Sequence, residues 1–294
     1  MPNVTANGIQ IEYEAFGGAG QQPLLLVMGL GAQMISWPDG FAQKLADSGF
    51  SVIRYDNRDT GLSTKFDSAG VPNVVEAMAA IQEGKQISAP YTLSDMAADG
   101  IGLLTALGID KAHIVGASMG GMIVQMMAIE HPQRVLSMTS IMSTTGAPGL
   151  PGSTPEAQAV LLTPAPSDRE GYVENSVKSS AVVGSAAHLR NDAARRDMAG
   201  RSYDRGFYPQ GIARHLVAVG ATGSRRERLA KVTCPTLVIH GEIDALVNVA
   251  GGRDTAAAIP GADLLVFPEM GHDLPEAHWT EMVQAIAANA AKAG

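Results

Sequence analysis

Short runs of continuously apolar residues recur along the chain, at 24–28, 51–55, 113–115, 135–139, 236–239 and 264–267. Several are apolar on both faces rather than alternating, which predicts parallel strands covered by helices on either side. Segments of helical period lie between them. Residues 41–48 form one such segment, ended by Gly49. Another opens with the capping-box pattern Thr92-Leu-Ser-Asp95, continues through Met96, Leu103, Leu104 and Leu107, and stops at Gly108. Alternation of this kind predicts an α/β chain with a doubly wound, mostly parallel sheet. Residues 4–16, with an Asn7-Gly8 turn, read instead as an antiparallel hairpin at one edge.

Two stretches break the rhythm. Residues 64–91 carry scattered Pro and Gly around a short helical piece at 74–81. Residues 144–230 begin with a Gly/Pro-rich hinge at 146–152 and continue as charged, helix-compatible sequence with no strand-like run. This predicts a core domain of residues 1–143 and 231–294, interrupted by a helical cap at 144–230. The cap would cover the carboxyl edge of the strands, where open α/β sheets bind ligands.

Composition narrows the function classes. With 46% hydrophobic and 17% charged residues among 294, the chain has ample apolar material for a large core. A net charge of −8 argues against nucleic acid or an anionic membrane as the main partner. The single cysteine, Cys234, excludes an internal disulfide and a multi-cysteine metal site, and its place before an apolar run reads as a small buried thiol. No segment approaches the roughly 18 apolar residues of a membrane span, and no secretory leader is evident at the amino terminus. Asn3-Val-Thr5 matches a glycosylation acceptor, a tripeptide common by chance. The expectation is a cytoplasmic protein.

The candidate chemistry centres on Gly116-Ala-Ser118-Met-Gly120, which follows a strand and leads into a helix bearing Met122, Ile123 and Met126. A serine on so tight a turn projects its hydroxyl beyond the sheet edge, and glycines at both flanks remove side chains where strand and helix nearly touch. The helix start offers free N–H groups and a positive dipole end to a developing oxyanion. Ser118 is therefore the expected nucleophile.

A serine needs a histidine base and a carboxylate to orient it. Among seven histidines, His272 follows the last strand run in the loop 268–273, with His240 its rival at another strand end. His113 and His131 read as structural, whereas His188, His215 and His278 are expected on solvated helical or cap surfaces. Asp244, in Gly241-Glu-Ile-Asp244, is the expected acid and Glu242 its alternative. Asp263 precedes its strand, at the wrong edge.

These motifs resemble the α/β-hydrolase superfamily along nearly the whole chain outside the cap. The matching pieces are Leu26-Val-Met-Gly29-Leu30-Gly31, the segment from Arg54 through Asp56, Arg58 and Gly61 to Ser63, the Ser118 turn, Gly241-Glu-Ile-Asp244 and Gly271-His272. Together with Trp37-Pro-Asp39 they look closest to the aclacinomycin (anthracycline) methylesterase branch. The order Ser118…Asp244…His272 is the one this fold class uses.

The resemblance implies an α/β-hydrolase fold and carboxylic ester hydrolysis without metal or organic cofactor. It further implies an oxyanion hole built from the Leu30 and Met119 N–H groups. Many members have His-Gly where this chain has Met28-Gly29, which removes an auxiliary polar group and leaves the backbone donors. Arg58 and Asp56 are expected to brace a loop, and Trp37 and Met119 to line the substrate pocket. The expected partner is a small-molecule ester; oligomeric state has no signature in the sequence. The same residues also suit C–C bond hydrolysis, amide cleavage or perhydrolysis. A non-catalytic ligand-binding scaffold is the reading from outside enzymology.

Overall fold

A computed structural model describes residues 2–18 and 20–294. Met1 and Ala19, which fall within the expected core domain, lie outside the described residues. Eight strands form one sheet: β1 (Asn3–Ala6), β2 (Ile9–Phe16), β3 (Gln22–Val27), β4 (Phe50–Tyr55), β5 (Ala112–Ala117), β6 (Val135–Ile141), β7 (Thr236–Gly241) and β8 (Asp263–Phe267). Their spatial order is β1-β2-β4-β3-β5-β6-β7-β8. The β1–β2 and β2–β4 pairs are antiparallel, and every pair from β4–β3 to β7–β8 is parallel. The hairpin turns at Asn7 and Gly8, both at positive φ, as the sequence predicts.

The helices are α1 (Asp39–Asp47), α2 (Val74–Gln82), α3 (Leu93–Ala106), α4 (Met119–Glu130), α5 (Pro155–Leu162), α6 (Arg169–Val183), α7 (Asp192–Gly206), α8 (Gln210–Thr222), α9 (Arg226–Leu229), α10 (Val249–Ala258) and α11 (Trp279–Ala291). The Thr92 capping box forms, with the Asp95 carboxylate accepting from the Thr92 N–H and hydroxyl at 2.8 Å each. Two apolar layers sandwich the sheet. Met96, Leu103, Ile123, Met126 and Ile259 pack on one face; Phe41, Leu45, Met282 and Ile286 pack on the other. Each such wholly buried side chain contributes about 1.5–3 kcal/mol of transfer free energy.

Two consequences position a site. First, β3 lies between β4 and β5, so the chain winds outward in opposite directions from it and opens a crevice at the strands' carboxyl ends. Second, the stretch between β6 and β7 carries the helices α5 to α9 and no strand among the described residues. Its closing helix α9 packs back against α4 and α10. Among the described residues no helix is long and apolar enough to cross a membrane.

Candidate active site

Ser118 follows β5 and caps α4 with φ 56° and ψ −120°, a left-handed backbone that a non-glycine residue adopts at a cost of about 1–3 kcal/mol. Close packing enforces this conformation. A Cβ on Gly116 would sit 2.1 Å from the Gly120 carbonyl oxygen, and one on Gly120 would sit 2.0 Å from that of Val27. Strands β3 and β5 and helix α4 therefore meet backbone to backbone, which only glycine permits.

His272 stands in the loop after β8, and Asp244 in the turn after β7. Asp244 Oδ2 lies 2.7 Å from His272 Nδ1, and His272 Nε2 lies 2.9 Å from Ser118 Oγ. An ionised carboxylate only accepts, so Nδ1 carries the proton and Nε2 is left to receive one from the serine hydroxyl. The Asp244 side chain is fully buried and that of His272 is 9% exposed. The other oxygen of Asp244 accepts from the Leu246 and Val247 N–H groups at 2.9 and 2.8 Å, which locks the carboxylate plane.

The glycine turn after β3 passes directly over the serine. A Cβ on Gly29 would lie 3.5 Å from Ser118 Oγ. The turn is closed by the Ala32 N–H on the Gly29 carbonyl, with Gly31 at φ 60°. Asn57 Nδ2 donates to the Met28 carbonyl at 2.8 Å and fixes its entry. Among the described residues no protein acceptor pairs with the backbone N–H of Leu30 or Met119. Leu30 follows Gly29, which packs against Ser118, and Met119 follows Ser118 itself, so both N–H groups belong to the backbone that meets at this serine.

The helical stretch between β6 and β7 reaches the loop of His272. Val183 accepts from the His272 N–H at 2.7 Å, and Ser185 Oγ accepts from the Gly271 N–H at 3.1 Å. The Ser185 hydroxyl in turn donates to Asp273. A Cβ on Gly271 would fall 2.3 Å from the Gly184 carbonyl, so the two backbones run in contact. No local pattern marks Val183–Ser185 as partners of His272, and sequence reasoning missed them.

The remaining histidines divide. His240 Nε2 donates to the Val247 carbonyl at 2.8 Å and stands 3.6 Å from Asp244 Oδ2, so it braces the turn of Asp244 rather than touching Ser118. Burial pushes its pKa down, which keeps it neutral. His113 pairs with Ser137 and Gln22, away from the carboxyl edge, as a structural residue. His188 is exposed as expected.

His215 and His278 depart from that expectation. His215 is wholly buried, and His278 stacks on the Phe267 ring with centroids 4.3 Å apart. The signal for His215 was available: Gly211, Arg214, His215 and Ala218 recur at helical spacing on the buried stripe of α8.

Glu242 is an exposed partner of Arg253, and Asp263 pairs at the opposite edge with Lys292. Asp56 accepts from the Met34 and Leu62 N–H groups and from Arg205, while Arg58 binds Asp99 through two donors. Both brace loops. The Cys234 thiol is half-buried, and burial pushes its pKa up.

Trp37 does not line a pocket. It is wholly buried and stacked on Phe41 at 5.7 Å, and its carbonyl accepts from Arg54. The reason is that the chain turns at Trp37 into α1, which carries the indole into the core. The Met119 side chain belongs to the apolar cluster on the α4 face, with only its N–H beside the serine. Among the described residues no cluster of His, Cys, Asp or Glu has the arrangement of a metal site.

Comparison with known proteins identifies the family. The chain is 28% identical to the rhodomycin D methylesterase DauP of a Streptomyces species, over 97% of this chain and 96% of that one. The corresponding methylesterase DnrP of Streptomyces peucetius matches at the same identity and coverage. A 2-hydroxy-6-oxononadienedioate/2-hydroxy-6-oxononatrienedioate hydrolase of Cupriavidus pinatubonensis is 29% identical, over 87% of this chain and 82% of its own. Among solved structures, a meta-cleavage product hydrolase from Pseudomonas fluorescens superposes with a TM-score of 0.78 at 20% identity, covering 100% of this chain and 98% of that one. The alpha/beta hydrolase fold family model matches residues 22–278. The chain is a hydrolase that belongs to the α/β-hydrolase fold family.

Proposed function

We propose that this protein is a serine carboxylesterase, acting through an acyl-enzyme on Ser118 with His272 as base and Asp244 as orienting acid. One observation carries the reading: the unbroken relay from the Asp244 carboxylate through His272 to a serine hydroxyl held on a strained turn. His272 Nε2 takes the Ser118 proton as Oγ attacks the ester carbonyl, and the imidazolium formed is stabilised by Asp244. The oxyanion is received by the N–H groups of Leu30 and Met119. His272 then returns the proton to the leaving alcohol, and water repeats the sequence to release the acid.

The similarity to two rhodomycin D methylesterases supports a methyl ester as substrate. The substrate is a small molecule, and its hydrolysis uses neither metal nor organic cofactor. Residues 144–230 serve as a cap over the site, and the protein works in the cytoplasm.

The test is turnover of a short-chain p-nitrophenyl ester and of a panel of polycyclic methyl esters, with fluorophosphonate labelling, in the parent and in Ser118→Ala. The parent hydrolyses esters and is labelled at Ser118; Ser118→Ala loses labelling and at least about 10³-fold in kcat. An inert, unlabelled parent refutes the esterase reading. An active Ser118→Ala refutes the nucleophile.

A further inference from the structure

His215 sits in the middle of α8, in the stretch between β6 and β7, yet it touches the glycine turn over Ser118. Its Nδ1 lies 3.2 Å from the Gly31 nitrogen, and its Nε2 lies 2.8 Å from the Arg58 carbonyl oxygen. The two partners dictate the tautomer. A peptide N–H donates to Nδ1, which must be bare, and a carbonyl accepts from Nε2, which must carry the proton. Both ring nitrogens are thus used by backbone groups of two different core loops. The ring is wholly buried and meets Tyr91 edge to face at 6.2 Å.

The charged groups around it are already paired. Asp59 accepts from Arg214 through both oxygens, and Arg58 binds Asp99. Burial holds the His215 pKa down at about 4, in keeping with a permanently neutral acceptor.

The turn needs such an acceptor. Gly29-Leu-Gly31-Ala32 closes on a long 3.3 Å bond, and its central peptide, Leu30–Gly31, is the one whose flip interconverts common turn types. Glycine at position 31 removes the steric barrier to that flip. The neighbouring helix residue Ile212 packs where a Gly31 Cβ would go, at 2.5 Å, so a side chain cannot be used to stiffen the turn. A flip would turn the Leu30 carbonyl toward the lone pair of Nδ1.

We infer that His215 is a positioning residue for the oxyanion hole: by holding the Leu30–Gly31 peptide it fixes the turn over Ser118, where the Leu30 N–H projects from the preceding peptide. The inference rests on the ester-hydrolysis reading above. It makes α8 part of the catalytic scaffold.

The test compares His215→Asn with His215→Gln. An Asn oxygen falls near the Nδ1 position and can still accept from Gly31; a Gln amide falls near Nε2 and keeps only the Arg58 contact. With p-nitrophenyl acetate, His215→Gln loses about tenfold to a hundredfold in kcat with KM changed less than about twofold, and His215→Asn stays within about threefold of the parent. Affinity for a trifluoromethyl ketone falls in parallel with kcat. Equal losses in the two variants, the reverse order, or a loss confined to KM overturn the inference.

In the unsubstituted protein, ¹⁵N NMR of the imidazole shows the Nε2–H tautomer between pH 6 and 8. An Nδ1–H tautomer overturns the inference whether or not the variants fold. An active parent with an indifferent His215→Gln sinks this inference alone. A parent that neither turns over esters nor reacts with fluorophosphonate removes the esterase reading, and this one with it.

Discussion

Replacing Asp244 by Asn tests how the relay is held, because the surroundings decide which way the amide faces. Oδ1 of Asp244 accepts from two backbone N–H groups, those of Leu246 and Val247, and Oδ2 faces His272 Nδ1. In the variant, the amide oxygen takes the place with two donors. The opposite orientation would set an NH₂ against two N–H groups and forfeit two buried hydrogen bonds, at about 1–3 kcal/mol for each donor left unsatisfied. The amide nitrogen therefore points at His272 and donates to Nδ1. That inverts the imidazole tautomer: Nε2 now carries the proton and cannot accept one from Ser118.

With the base disabled and the volume unchanged, kcat falls about 10³–10⁴-fold, or about 4–5.5 kcal/mol in the barrier. The measurement is steady-state hydrolysis of p-nitrophenyl acetate, with thermal unfolding to show that the fold is retained. Asp244→Ala serves as the comparison, since it removes the carboxylate without imposing a tautomer. If folded Asp244→Asn keeps more than about a tenth of parental kcat, or clearly outperforms Asp244→Ala, the tautomer argument is wrong.

Two further outcomes follow from the geometry. Gly120→Ala places a Cβ 2.0 Å from the Val27 carbonyl oxygen, where only backbone can yield, and destabilises the protein by about 3 kcal/mol or more. Differential scanning calorimetry reads this as a Tm lower by at least about 6 °C, whereas Gly152→Ala, with open space at its Cβ, stays within about 2 °C. His215 keeps its proton off down to about pH 4 when folded but takes one near its ordinary 6.5 when unfolded. Stability is accordingly full above about pH 6.5 and declines as pH falls from there to about 4, by roughly 3 kcal/mol. Urea midpoints at pH 7.5 and 4.5 show a shallower acid loss in His215→Asn than in the parent; identical slopes contradict the assignment.

The sheet was readable because its strands are buried on both faces and so carry uninterrupted apolar runs. The Ser118 turn was readable because contact between backbones at Gly116, Gly120 and Val27 admits only glycine, and glycines are visible in a sequence. Asp244 and His272 were readable by position, since each follows a strand that ends at the same edge. The misreadings share a cause. Trp37 has the composition of a pocket residue, but a turn at the start of α1 sends it inward. His215 lies within the charged stretch 144–230, which reads as a solvated cap until the stripe of α8 that bears it is seen to face Gly31 and Arg58.

By itself, then, the sequence determined the alternation of strands and helices, the family, and which serine, histidine and carboxylate stand at the strand ends. These are local consequences of hydrophobic period and of backbone space, and both are written residue by residue. Only the tertiary structure decided how the stretch between β6 and β7 meets the core: Val183–Ser185 on the loop of His272, and His215 on the turn over Ser118. Those contacts join residues as much as 184 positions apart through single hydrogen bonds donated by backbone N–H groups. A hydrogen bond of that kind needs one acceptor in one place, and neither period nor motif announces it.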